Sequence, residues 1–273
     1  MTIDSLLLRA LVVFAPLVAV GCADLEEPTE PAAVSTALAV TSVPGRWRLV
    51  YHSDMSSLSG WSVFDNPSRS DSQGPRLASN VEQVNHATWR EPHFVRLHSR
   101  LSTDARMDPD TRWASSGIAL YGQTRTFGRF DARIRSNRSF GTRNVALLWP
   151  TGTWPCSGEI DFYEVSAREP LRDRYHYSNH YCDRGGRNAQ DMATITPPAG
   201  VADFTDWQTF TLVWRAREEI LYIDGVEKAR FTEHIPQGPM WLGFQTAMGT
   251  LAQGQTWTAS TFDVADVAIY EEY

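Results

Sequence analysis

The sequence predicts an all-β fold, an antiparallel β-sandwich, and three observations carry that expectation. Short apolar runs recur from about Trp47 onward, broken by Gly, Pro, Asn, Asp and Ser. Several of these runs alternate strictly between apolar and polar residues, as half-buried antiparallel strands do. Nowhere does a long stripe of period 3.6 appear, which disfavours a doubly wound α/β fold.

The expected strands follow in order. They are Phe94–His98, Gly117–Tyr121, Phe130–Arg135, Val145–Trp149, Thr209–Trp214, Ile220–Ile223 and Trp241–Gln245. Asp224-Gly225, between Ile223 and Val226, is a two-residue hairpin signal. With 273 residues, 42% of them hydrophobic, the chain can bury one large core. We assign that core to a single domain over residues 43–273, expected to act as a monomer. The formal net charge is −7 and no Lys/Arg-rich run occurs, so nucleic acid is excluded as a partner.

The first 22 residues read as an export signal. Apolar residues dominate from Leu6 to Val20, and the uncharged run after Arg9 is about a dozen residues, too short to span a bilayer. It closes on Ala19-Val20-Gly21-Cys22, which resembles a bacterial lipoprotein processing site with Cys22 as the lipidated residue. An ordinary secretory signal is the alternative. Residues 23–42 are acidic and rich in Pro, Ala and Thr, and read as a flexible tether. The expected location is therefore outside the cytoplasm, at the cell surface or outer membrane or else secreted. The membrane is touched only through the lipid.

Chemistry concentrates in Glu159-Ile160-Asp161-Phe162-Tyr163-Glu164. Side chains of a regular strand alternate faces, so Glu159 and Asp161 share one face and position 163 should follow them. The third acid comes one residue late. A single β-bulge at Phe162-Tyr163 returns Glu164 to the face of the other two. Three like charges on one surface repel, and a purely structural strand has no reason to keep them. Two carboxylates flanking a glycosidic bond, one neutral and one ionised, are what glycoside hydrolysis requires. A calcium site is the competing use of grouped carboxylates, but one strand face supplies no wrapped oxygen cage.

Around these acids the chain resembles glycoside hydrolase family 16, the laminarinase, lichenase, agarase and carrageenase group. The resemblance rests on Phe127-Gly128-Arg129-Phe130-Asp131-Ala132-Arg133-Ile134, on Ala146-Leu147-Leu148-Trp149-Pro150, and on Trp154-Pro155-Cys156-Ser157-Gly158 running into the acidic strand. Asp206–Phe210, Trp214 through Gly225, and Val264–Tyr270 extend it to the end of the domain. It implies a concanavalin-like jelly roll with a concave cleft, and retaining, endo-acting hydrolysis of β-glycosidic bonds in a polysaccharide. It also implies Glu159 as nucleophile, Asp161 as assisting acid and Glu164 as general acid/base. The bulged motif is associated with the β-1,3-glucanase, agarase and carrageenase side of the family, and a β-1,3-linked glucan is the favoured substrate.

Around the trio, Trp154 is the best candidate sugar platform and Trp149 a second, each with a core tryptophan as its alternative. His176 matches a cleft-facing His of bulged members, against a satisfied structural histidine. Gln245 presents an amide either to sugar hydroxyls or to solvent. His176, His180 and Cys182 invite a zinc reading, but His176 and His180 stand roughly 13 Å apart on an extended strand, so no metal is assigned. No cofactor is required. Cys156 and Cys182 are expected to pair as a disulfide in an exported protein, with two buried thiols as the alternative. A neighbouring raised carboxyl is expected at Glu164, because Glu159 and Asp161 stand close by. Two other functions remain open: a transglycosylase on the same scaffold, and a non-catalytic carbohydrate-binding sandwich.

Overall fold

The structure is a computed structural model that describes residues 43–69, 74–86, 91–107, 112–168, 173–197, 205–251 and 254–273. The export signal, the tether and Cys22 lie outside the described residues. Among the described residues sixteen strands form in chain order. The first eight are β1 (Trp47–Ser53), β2 (Ser62–Val63), β3 (Val81–Val84), β4 (Phe94–Leu101), β5 (Trp113–Ala114), β6 (Gly117–Arg125), β7 (Gly128–Ser136) and β8 (Thr142–Pro150). The rest are β9 (Glu159–Val165), β10 (Tyr175–Cys182), β11 (Asn188–Ile195), β12 (Gln208–Arg215), β13 (Glu218–Ile223), β14 (Val226–Phe231), β15 (Met240–Met248) and β16 (Ser260–Glu272). Among the described residues the only helical element is a single 3-10 turn at Ala78–Asn80.

Two antiparallel sheets result. One runs β14-β13-β12-β7-β16-β4-β3, with β1 also on β16 and β5 on β4; the other runs β11-β10-β9-β8-β15-β6-β2. Alternation decides which side chains meet between them. Phe130, Ala132 and Ile134 of β7 and Phe210, Leu212 and Trp214 of β12 enter the shared core, while Arg129, Asp131, Arg133 and Arg135 take the other face of β7. Ile118 and Leu120 of β6, Ala146 and Leu148 of β8, and Leu242 and Phe244 of β15 come to the same core from the second sheet. The remaining face of that second sheet carries the site.

The hairpin between β13 and β14 forms at Asp224-Gly225, with φ of 47° and 80° at the two residues. Those values are what a tight primed turn demands, and Asp224 Oδ1 also accepts the Thr209 backbone N–H at 2.8 Å. One element has no counterpart among the expected strands: residues 188–195 form β11, an edge strand whose partner is β10. β11 has little apolar pattern because every second residue faces solvent, so its sequence reads as a loop.

Candidate active site

The acidic strand β9 is bulged where the sequence places the irregularity. Against β8, Ala146 pairs with Tyr163 and Leu147 with Asp161, leaving Phe162 as the extra residue. Against β10, His176 pairs with Glu164 and Ser178 with Asp161, so Phe162 and Tyr163 together oppose Tyr177. Ile160, Phe162, Tyr163 and Val165 all enter the core. Two consecutive core residues consume the register slip, and Glu159, Asp161 and Glu164 emerge on the opposite face. Tyr163 is fixed from behind, its hydroxyl 2.7 Å from Ser136 Oγ and its ring stacked 5.4 Å from Phe262.

Neighbouring strands bring the rest of the site by register. His176, Ser178 and His180 of β10 stand beside Glu164, Asp161 and Glu159 respectively. Across β8, Val145 and Leu147 pair with Glu164 and Asp161, and Trp149 follows on the same face. Gln245 and Trp241 of β15 pair in turn with Val145 and Trp149.

Glu159 and Asp161 are covered although they face outward, with only 8% and 3% of their surface exposed. Trp154 donates its indole N–H to Glu159 Oε2 at 2.6 Å. Asp161 Oδ2 accepts from Ser178 Oγ at 3.2 Å and lies 3.3 Å from His180 Nε2. The second oxygen, Oδ1, is buried and makes no hydrogen bond. His180 Nδ1 is 3.1 Å from Asn188 Oδ1 on β11.

The electrostatics centre on Glu159 and His180. The upward push on a carboxyl falls on Glu159, first because it is buried and second because Asp161 is close; the His180 cation and the Trp154 N–H pull the other way. Glu164, by contrast, is half-buried. Burial works against a charged His180, but the hydrogen bond and charge of Asp161, with the charge of Glu159, outweigh it and raise its pKa. A cation is thus held beside two acids.

The other expected residues fall as follows. Trp154 is 40% exposed and stacks parallel to Trp149 at 6.1 Å, with planes 6° apart. His176 is half-buried with Nδ1 3.3 Å from Thr194 Oγ1. Gln245 accepts a 2.5 Å bond from Arg76, whose guanidinium covers the Phe64 ring at 4.9 Å. Cys156 and Cys182 are joined by a disulfide with Cα atoms 4.6 Å apart, tying the Trp154 segment to the end of β10. That bond removes Cys182 from the zinc set. Among the described residues one group could hold a metal, Glu159, Asp161 and His180, whose ligand atoms lie within 4.8 Å of one another.

Sequence reasoning missed His180 as a partner of Asp161, and it missed Ser178 and Trp241. The period-2 pattern His176-x-Ser178-x-His180 was the available signal, because it puts all three on one face. Trp241 gave none, since an aromatic ending a strand looks the same whether it faces core or cleft.

Comparison with known proteins adds the following. The family model for glycosyl hydrolases family 16 matches residues 82–266. An endo-β-1,3-glucanase from Pyrococcus furiosus superposes with a TM-score of 0.67 at 18% identity, covering 84% of this chain and 96% of that one. The laminarinase catalytic domain from Thermotoga maritima gives 0.66 at 15% identity, over 83% and 99% of the two chains. A family 16 endo-glucanase from Bacteroides ovatus gives 0.65 at 14% identity, over 80% and 99%. At these identities the solved structures establish the jelly-roll fold. No curated protein matches this chain by sequence.

Proposed function

The chain belongs to glycosyl hydrolases family 16, and from that premise we propose that it is a retaining, endo-acting β-glycoside hydrolase that cleaves an extracellular β-1,3-linked glucan. The observation that carries this reading is the register slip at Phe162, which gathers Glu159, Asp161 and Glu164 on one face. The Pyrococcus endo-β-1,3-glucanase and the Thermotoga laminarinase, as similar folds, support glucan as the polysaccharide.

Glu164 gives its proton to the glycosidic oxygen as the bond to the leaving sugar breaks. The ionised Glu159 attacks the anomeric carbon and forms a glycosyl ester. Water, deprotonated by Glu164, then opens that ester, returning Glu159 as a carboxylate and Glu164 as an acid. Asp161 holds His180 beside the nucleophile, and the cation favours the ionised form of Glu159 that attack requires. Trp154 orients Glu159 through its N–H and offers a ring to the sugar. The mechanism needs no cofactor, and one copy of the chain supplies every group. The disulfide supports action in an oxidising compartment, with Cys22 as the membrane tether.

The test is hydrolysis of a panel of β-glucans and galactans by the purified domain, with the product anomer read by NMR. Release of oligosaccharides with retained configuration from β-1,3-glucan is expected. Release from a galactan alone would move the substrate, and an inverted product would remove the covalent step. Added oligosaccharide acceptor separates hydrolysis from transglycosylation.

A further inference from the structure

Two donors to the buried acids each stand two residues ahead of a cysteine of the disulfide. Trp154, whose indole N–H reaches Glu159 Oε2 at 2.6 Å, precedes Cys156; His180, 3.3 Å from Asp161 Oδ2, precedes Cys182. A spacing of two along β10 keeps His180 and Cys182 on one face, so the bond lies on the side of the site. The Trp154 and His180 rings are themselves neighbours, 6.3 Å between centroids.

Both donors sit where the sheet holds them least. The β9–β10 ladder ends at the pair Glu159 and His180, and the ends of ladders open first. Ahead of Glu159 runs the β8–β9 loop, in which the Ser157 N–H bonds Thr153 O and the Gly158 N–H bonds Pro155 O, each at 2.9 Å. Those bonds shape the loop but do not fix it to β10. Beyond His180, β10 continues against β11, where Cys182 pairs with Asn188, the residue whose Oδ1 lies 3.1 Å from His180 Nδ1. Cys156 is exposed and Cys182 half-buried, so core packing does not secure this end.

The disulfide supplies what is missing. Its Cα atoms are 4.6 Å apart, close to the separation of about 4.5 Å between directly opposed residues of an antiparallel pair. It acts as one more rung past the last pair of the ladder, and it joins the loop that carries Trp154 to the strand that carries His180.

We infer that Cys156 and Cys182 are positioning residues for hydrolysis, their disulfide holding Trp154 and His180 against Glu159 and Asp161. This inference rests on the proposed role of Glu159 as nucleophile for its effect on rate, and on the geometry of the end of the ladder for the bracing. Hydrogen bonds weaken steeply with distance and angle, and a displacement of about 1 Å near a reacting group costs up to about 10²-fold in rate.

The experiment compares the full domain with its Cys156→Ser/Cys182→Ser variant, and with the unmutated protein reduced by a phosphine and then reoxidised. Rates are taken on a soluble β-1,3-glucan well below every melting temperature. Opening the bond should lower kcat about tenfold, and reoxidation should restore it. Trp154→Phe removes the N–H and keeps a ring for stacking. It should cost about tenfold with the disulfide intact and less than about twofold in the serine variant, where the N–H has already left Glu159. The indole N–H resonance of Trp154, assigned by its loss in Trp154→Phe, should exchange with water at least about tenfold faster once the bond is open. Should the serine variant fail to fold, the reduced protein gives the same readouts. Trp154→Phe costing the same with and without the disulfide, or indole exchange unchanged by opening it, would overturn the inference, whatever happens to the melting temperature. Faster indole exchange on reduction in a protein that hydrolyses no glycan would instead sink the proposed activity and leave the brace standing.

Discussion

Two groups of buried acids in this molecule face opposite ways and are treated differently. On the nine-stranded sheet, Asp263 is clamped by Arg96 at 2.7 and 2.8 Å and by Arg135 at 2.9 Å. Farther along the same sheet, Asp131 receives both arms of Arg129 at 2.8 and 2.6 Å. On the other sheet, Glu159 and Asp161 are equally buried, but among the described residues no arginine or lysine reaches them. Their partners are an indole N–H, a hydroxyl and one imidazole. An acid held by a guanidinium fork is neutralised and spent on structure, whereas one held by weak donors keeps a lone pair and a movable proton. The difference separates scaffold from chemistry within one fold.

The comparison breaks most sharply at the acid trio. Glu164→Gln is expected to lower turnover by about 10²–10⁴-fold with the melting temperature nearly unchanged, as seen by reducing-sugar release and calorimetry. A loss confined to stability would put Glu164 with the scaffold acids.

Matched substitutions of the two aspartates come next. Asp263→Asn should cost about 3 kcal/mol of stability, because it leaves Arg96 and Arg135 facing a neutral amide, and turnover should stay near the wild-type value. Asp161→Asn should do the reverse. It removes repulsion with Glu159, so the melting temperature holds or rises, while turnover falls at least about tenfold. Denaturant curves and rates on the same preparations check both, and identical outcomes at the two sites would erase the distinction.

His180→Gln probes the cation held between Glu159 and Asp161. His180 lowers the pKa of Glu159, whereas burial and Asp161 raise it. Without the cation Glu159 must lose its proton at higher pH, so the acid limb of the kcat/KM profile should move upward. A limb that stays in place or moves down would contradict the coupling.

The smallest effect concerns a buried acid that belongs to neither group. Glu219 lies in the core with its Oε2 accepting from Tyr177 at 3.1 Å, and burial pushes its pKa from 4.5 up to about 8. The folded state therefore holds this proton more tightly than the unfolded chain. The stabilisation is complete below about pH 4.5 and is lost as pH rises through about 8. Glu219→Gln cannot ionise, so its melting temperature relative to wild type should improve between pH 5 and pH 9. A constant difference would mean that Glu219 titrates normally.

Much of this was legible in the sequence, and for identifiable reasons. The bulge could be read because the spacing of three acids in an apolar strand conflicts with a period of two, and only an extra residue reconciles them. The Asp224-Gly225 turn could be read because both residues must adopt positive φ. What stayed hidden depends on tertiary register. His180 meets Asp161 only once β10 is laid against β9. Edge strand β11 was hidden as well, because a strand with one solvated face and few apolar residues gives almost no periodic signal.

The most direct measurement uses a 2-fluoro β-glucosyl oligosaccharide with a good leaving group, followed by peptide mass spectrometry. The fluorine slows opening of the glycosyl ester, so a retaining enzyme accumulates labelled protein. Stoichiometric label on Glu159, absent in Glu159→Gln, is the expected result. Label on any other residue, or turnover of natural glycan without a trappable ester, would contradict the assignment of the bulged strand as the hydrolytic centre.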